Sequence, residues 1–172
     1  MTDAFVLPDV LEPGLSVVFC GTAAGTRSAQ DRAYYAHPGN MFWRTVFAVG
    51  LTPRLLVPAE FARMPGFGLG LTDLSKFHYG NDNELPVDAF DVIALRTKIE
   101  TLAPRVLAFT SKHAGIAALG KPLAYGLQPA TWGHTQLFVL PSPSGQARRS
   151  WNAGIWQELA DLVRAQPPGI ER

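Results

Sequence analysis

Three short apolar runs constrain this chain most: Ser16-Val17-Val18-Phe19-Cys20, Val106-Leu107-Ala108-Phe109-Thr110 and Leu137-Phe138-Val139-Leu140. Apolar residues occupy successive positions in them, and each run is followed by Gly, Ser or Pro. A strand that is apolar on both faces must be covered on both faces, as in a parallel sheet. Gly70-Leu71-Thr72-Asp73-Leu74 is a weaker fourth candidate. Between the runs the period becomes helical. Residues 40–49 follow a turn at Pro38-Gly39, and Phe90, Ile93, Leu95, Ile99 and Leu102 recur at roughly helical spacing within residues 88–102. Residues 111–119 open on Ser111, a natural N-cap, and stop at Gly120. After Ser150 the face Trp151, Ile155, Leu159, Leu162 and Val163 fits a 3.6 period, and Gln166-Pro167-Pro168-Gly169 cannot continue that helix. Residues 64–70 and 78–86, rich in Gly, Asn or Pro, read as loops. Strands alternating with helices predict an α/β layer fold with a mainly parallel, four-stranded sheet.

At 172 residues the chain suggests one domain, spanning 1–172 with its core at about 15–165. With 47% hydrophobic and 17% charged residues, disorder is excluded as its main state. No apolar run reaches the roughly 20 residues of a membrane helix. The opening Met1-Thr2-Asp3-Ala4-Phe5 has no basic region of the signal-peptide kind. The single cysteine, Cys20, excludes an intramolecular disulfide, a Cys-rich zinc site and a four-Cys iron–sulfur cluster. These features predict a cytoplasmic protein without cofactor or metal. The net charge of +1 means that any nucleic-acid partner must be held by a local basic patch.

In α/β sheets ligands sit beyond the carboxyl ends of the strands. Two segments fall there, residues 21–40 after the first run and 141–149 after the last. The first begins Gly21-Thr22-Ala23-Ala24-Gly25, which is neither a dinucleotide fingerprint nor a phosphate-binding P-loop. It is a tight turn of small residues that lets backbone approach a ligand, or simply a strand-to-helix connection. The second, Pro141-Ser142-Pro143-Ser144-Gly145-Gln146-Ala147-Arg148-Arg149, has the stiffness and charge of a finger lying on phosphates. Alone it reads equally as a rigid connector with a solvated Arg pair.

Together, Gly21-x-x-x-Gly25, Tyr35-Ala36-His37-Pro38-Gly39-Asn40-Met41-Phe42-Trp43, Gly70-Leu71-Thr72-Asp73-Leu74, Trp132-Gly133 and Pro143-Ser144-Gly145 resemble, in order and spacing, the mismatch-specific uracil-DNA glycosylase and thymine-DNA glycosylase family. The Ala-His-Pro-x-Asn-x-Phe-Trp stretch is the specific part. The resemblance implies a three-layer αβα fold and a DNA repair enzyme that flips uracil out of DNA and hydrolyses its N-glycosidic bond, releasing free uracil. The expected partner is uracil-containing DNA, at the nucleoid, and the expected state a monomer. The resemblance also assigns roles. Gly21, Thr22, Ala23, Ala24, Gly25, Tyr35, Asn40 and Ser142 would bind the base, Tyr35 by stacking. Ser144, Gly145, Gln146, Arg148 and Arg149 would hold DNA, with Gln146 as the wedge that fills the gap left in the duplex. Arg27, Arg32, Lys76 and Lys112 are further candidates for a phosphate track.

One position departs from the family. The asparagine that usually holds the attacking water is Ala23 here, and the following proline is Ala24. A methyl group cannot position water. The protein could then be a catalytically weak or silent binder of damaged or single-stranded DNA. It could rely on leaving-group stabilisation alone, or another polar residue could stand in. Some uracil-glycosylase branches resemble it in lacking a polar residue there, so inactivity does not follow. For a stand-in, Asp31 comes first because it shares the base-contacting loop, and Asp73 second because it ends a strand at the functional edge. His37 reads as a structural hydrogen bond fixing its turn. A third class, a small-molecule-binding α/β protein with a phosphate in the Gly turn, leaves the Ala-His-Pro stretch and the Pro-Ser-Gly loop without purpose.

Overall fold

The computed structural model describes residues 4–165. Five strands, β1 (Val17–Gly21), β2 (Leu69–Asp73), β3 (Val106–Phe109), β4 (Gly126–Trp132) and β5 (Thr135–Val139), form one sheet in the order β2-β1-β3-β5-β4. The first three and β5 run parallel, and β4 returns antiparallel beside β5. Five α-helices accompany them: α1 (Thr26–Asp31), α2 (Phe42–Ala48), α3 (Val92–Leu102), α4 (Lys112–Leu119) and α5 (Ala153–Ala165).

The successive apolar residues of the strands serve two cores. Val17 and Phe19 of β1, with Val106, Ala108 and Phe138, pack against Phe42 and Val46 of α2 and Trp156 and Leu159 of α5. Val18 and Cys20, with Leu107, Phe109, Leu137 and Val139, pack against Leu95 and Ile99 of α3 and Ala114 of α4. Helices on both faces of a mostly parallel sheet make three layers, and the alternation of side chains across a strand explains why β1 is apolar at every step.

The sheet has five strands where the sequence suggests four. The additional strand, β4, lies at the edge, contains Pro129 and is exposed over most of its length. Its register with β5 shifts between Leu127 and Thr131. A proline-bearing edge strand carries no continuous apolar signature. Residues 64–70 are not a loop throughout. They hold the end of a 3₁₀ helix (Pro58–Phe67) and the opening of β2. Two helix caps follow the sequence. Ser111 accepts a hydrogen bond from the Ala114 amide at 3.0 Å, and Asp91 caps α3 through Ala94. The Gln166–Gly169 stop lies outside the described residues.

Candidate active site

β1 sits between β2 and β3, and its last residue, Gly21, stands at the carboxyl edge level with Asp73 of β2. Beyond that edge opens a cleft of about 940 Å³. The turn Thr22–Gly25 forms one part of its wall, Tyr35, Gly39 and Asn40 another, and residues 142–148 a third. The fourth side comprises Asn81, Asp82, Ser111 and His113.

Gly21 leaves free a space that a side chain would fill. A Cβ built there would lie 2.8 Å from an Asp73 carboxyl oxygen, 3.4 Å from Thr110 Oγ1 and 3.7 Å from the Tyr35 hydroxyl. Three polar groups from three segments therefore converge on one backbone position. Tyr35 and Thr110 share a hydrogen bond of 3.1 Å. The Tyr35 ring lies against Phe42 with centroids 4.0 Å apart and planes 20° apart, and the residue lines the cleft. Its backbone is left-handed (φ +52°), a conformation uncommon outside glycine. Burial, and then the nearby Asp73 carboxyl, push the Tyr35 phenol well above its ordinary range, so it stays protonated and able to donate.

Asp73 is buried at the end of β2. Its pKa is raised from 3.8 to about 6: loss of water is the largest influence and Asp9 adds to it, while Lys76 and the Gly21 amide hold it down. Lys76 is itself buried and belongs to a charge cluster. Its ammonium lies 2.9 Å from Asp9 Oδ1 and donates to the Tyr34 hydroxyl at 3.1 Å. Lys98 donates to the other Asp9 oxygen at 2.7 Å, and Thr72 donates to Oδ1 at 2.7 Å. Burial works against the Asp9 charge, but the lysines and Thr72 outweigh it and keep that carboxyl low. Two ammonium groups thus face two carboxylates when Asp73 is ionised, and the set is neutral.

The residues expected to bind the base, Gly21 through Gly25, Tyr35, Asn40 and Ser142, all line this cleft, as do Ser144, Gly145, Gln146 and Arg148. Arg149 is exposed outside the lining. The two acids separate. Asp73 lines the cleft and Asp31 does not. The short helix α1 carries Asp31 to its far end, where its carboxylate accepts from Arg27 Nε at 2.7 Å. Lys76 cannot serve a phosphate track, being buried against Asp9. Asn40 accepts from the Phe42 amide at 2.9 Å, so it caps a turn as well as lining the cleft. His37 Nδ1 accepts from the Gly39 amide at 2.9 Å, which fixes the turn. The serines hold the finger in shape. Ser142 Oγ accepts from Ser144 N and Ser144 Oγ from Gln146 N, each at 3.2 Å. The Met41 amide donates to Pro143 O at 2.8 Å, and Gly145 lies so close to Gly39 that a Cβ would meet its carbonyl at 3.2 Å.

Thr110 and Asp82 line the cleft without belonging to any of the motifs. Thr110 directly follows β3, and a hydroxyl at a strand's carboxyl end is the signal that identifies it. Asp82 accepts from Thr22 Oγ1 at 2.7 Å and lies 3.8 Å from His113 Nδ1, tying the first turn to the opposite wall. It opens a short 3₁₀ helix (Asp82–Glu84) in a polar stretch that no sequence pattern marks.

The description of the Uracil DNA glycosylase superfamily matches residues 8–160. The chain is similar in fold to a candidate uracil DNA glycosylase from Methanosarcina acetivorans solved by solution NMR. The two share 20% identity and a TM-score of 0.64, over 95% of this chain and 99% of that one. The match of residues 8–160 takes in every strand of the sheet and each wall of the cleft, and on it the chain belongs to the uracil DNA glycosylase superfamily.

Proposed function

We propose that this protein is a monofunctional DNA glycosylase that draws uracil out of DNA and hydrolyses its N-glycosidic bond, leaving an abasic site. The observation that carries this reading is the convergence of the Asp73 carboxyl and the Thr110 and Tyr35 hydroxyls on Gly21, beside an aromatic ring in the cleft wall. An extruded base needs a flat apolar surface, which Tyr35 supplies with Phe42 behind it. When the glycosidic bond breaks, its electron pair leaves with the base as a uracil anion and the sugar becomes cationic. The small residues Ala23 and Ala24 allow the turn's backbone to approach the base. Asp73 stands in for the absent asparagine: as a carboxylate it orients water, offsets the growing positive charge and takes the water's proton as the new bond to the sugar carbon forms. Gln146 fills the gap in the duplex, and Arg148 and Arg149 hold phosphates.

The test is incubation with a uracil-containing oligonucleotide, alkali treatment and electrophoresis. Strand scission by the parent, and its loss in Asp73→Asn, is the expected result. A shifted but uncut band for the parent would overturn hydrolysis in favour of a binder of damaged DNA.

A further inference from the structure

We propose that the slot between Tyr79 and helix α1 is a second base-binding site, which takes the unpaired base of a nucleotide flanking the extruded one. This inference rests on the DNA-glycosylase reading above. Tyr79 is 56% exposed although its backbone is fixed. It forms a parallel bridge with Ala24, and the following amide, Gly80 N, donates to Ala24 O at 2.9 Å. An exposed aromatic ring anchored to the base-binding turn gives up hydrophobic stabilisation unless something covers it.

The ring faces Thr26, Ala29 and Gln30, which are the i, i+3 and i+4 positions of α1 and so share one face. Between them lies a cavity of about 180 Å³. That is several times the roughly 30 Å³ share of one liquid water and below the roughly 300 Å³ of a pocket for a larger ligand. It suits one planar ring system. Its lining is a phenol ring, a methyl group, a hydroxyl and a carboxamide, with no charged group. Such a set stacks on one face of a heteroaromatic ring and offers both donors and acceptors to its edge. Thr26 lines this slot and the main cleft alike, so the two spaces adjoin. Arg27, the next residue, lines the main cleft, is exposed and is paired with Asp31, which leaves a cation beside both spaces.

A flanking base in an intact duplex stays paired and stacked on its neighbours. The slot is therefore open only to single-stranded or frayed DNA, and it should make the protein favour such substrates without changing the reaction. Stacking on one exposed aromatic corresponds to about tenfold in affinity.

The experiment measures binding by fluorescence anisotropy, using oligonucleotides that carry a non-cleavable 2′-fluoro-deoxyuridine. Tyr79→Ala and Tyr79→Leu are expected to weaken single-stranded binding about tenfold, with duplex binding moved much less and Tyr79→Phe close to the parent. The leucine variant keeps bulk, so its loss reports the ring and not the fold, and circular dichroism checks that it is folded. Replacing one neighbouring nucleotide by a tetrahydrofuran spacer, on each side in turn, should reproduce the loss in the parent on one side only and add nothing in Tyr79→Ala. Equal weakening of single- and double-stranded binding, or additive losses from spacer and variant, would overturn the slot. If the parent binds DNA and Tyr79→Ala matches it on every substrate, the slot falls and the glycosylase reading stands. If the parent binds no DNA of either kind, both fall.

Discussion

Asp73 occupies a position that costs the protein stability. Its folded-state pKa of about 6 stands above the 3.8 of a solvated aspartate. The folded state therefore binds more protons than the unfolded one between about pH 4 and pH 6, and stability falls as pH rises through that window. The cost above the window is on the order of 3 kcal/mol. Asp73→Asn should accordingly melt higher than the parent at pH 7.5, with the difference shrinking toward pH 4, while single-turnover excision drops about a hundredfold or more. A variant that loses both activity and thermal stability at pH 7.5 would contradict this account. Excision by the parent should fall as pH drops through about 6, where the carboxylate takes up its proton. Lys76 is the cation that most favours the charged form of Asp73. In Lys76→Met the acid limb should move to higher pH, measured as single-turnover rate against pH. Asp31→Asn should keep the parent rate, because Asp31 does not line the cleft, and its exposed pair with Arg27 contributes at most about 1 kcal/mol to stability. In sequence Asp31 precedes Asp73 as a candidate because it shares the first loop. Nothing in residues 21–40 announces that a six-residue helix turns its side chain away, whereas the β2 pattern does put Asp73 at the sheet edge.

Among the elements, the finger of residues 142–149 couples the last strand to the turn that carries Tyr35. Its contacts are main-chain ones, from Met41 to Pro143 and between Gly39 and Gly145, so the serines and prolines set its course and the side chains beyond are left exposed. Gln146→Ala should reduce excision from duplex more than from single-stranded substrate, since only a duplex leaves a hole to fill. An unchanged ratio of the two rates would remove the wedge role. Arg148 lines the cleft and Arg149 does not. Arg148→Ala should therefore lower affinity and flatten its salt dependence by about one phosphate contact, with Arg149→Ala doing less. The four parallel strands and four of the helices are legible in the sequence, since burial on both faces and amphipathic spacing leave direct traces. The elements that leave none are polar or irregular: α1, the 3₁₀ helix Pro58–Phe67 and the edge strand β4. Their shape follows from what they pack against, not from local propensity.

For the molecule as a whole, the floor of the site is the end of a strand paired on both sides. β1 is hydrogen-bonded to β2 and β3 along Val17–Cys20 and covered by a core on each face. Amides at that depth are expected to exchange with solvent only when the whole molecule opens, whereas the mostly exposed short 3₁₀ segment Gly145–Ser150 should open alone. Deuterium uptake should then rank the two walls of one site at opposite extremes, Phe19 and Cys20 among the slowest and the finger among the fastest. On warming, the grip on duplex DNA should loosen well before the floor that would hold the base is disturbed. A cold-tuned or heat-tuned variant of this protein would thus be made by rewriting the finger, with β1 left as it is.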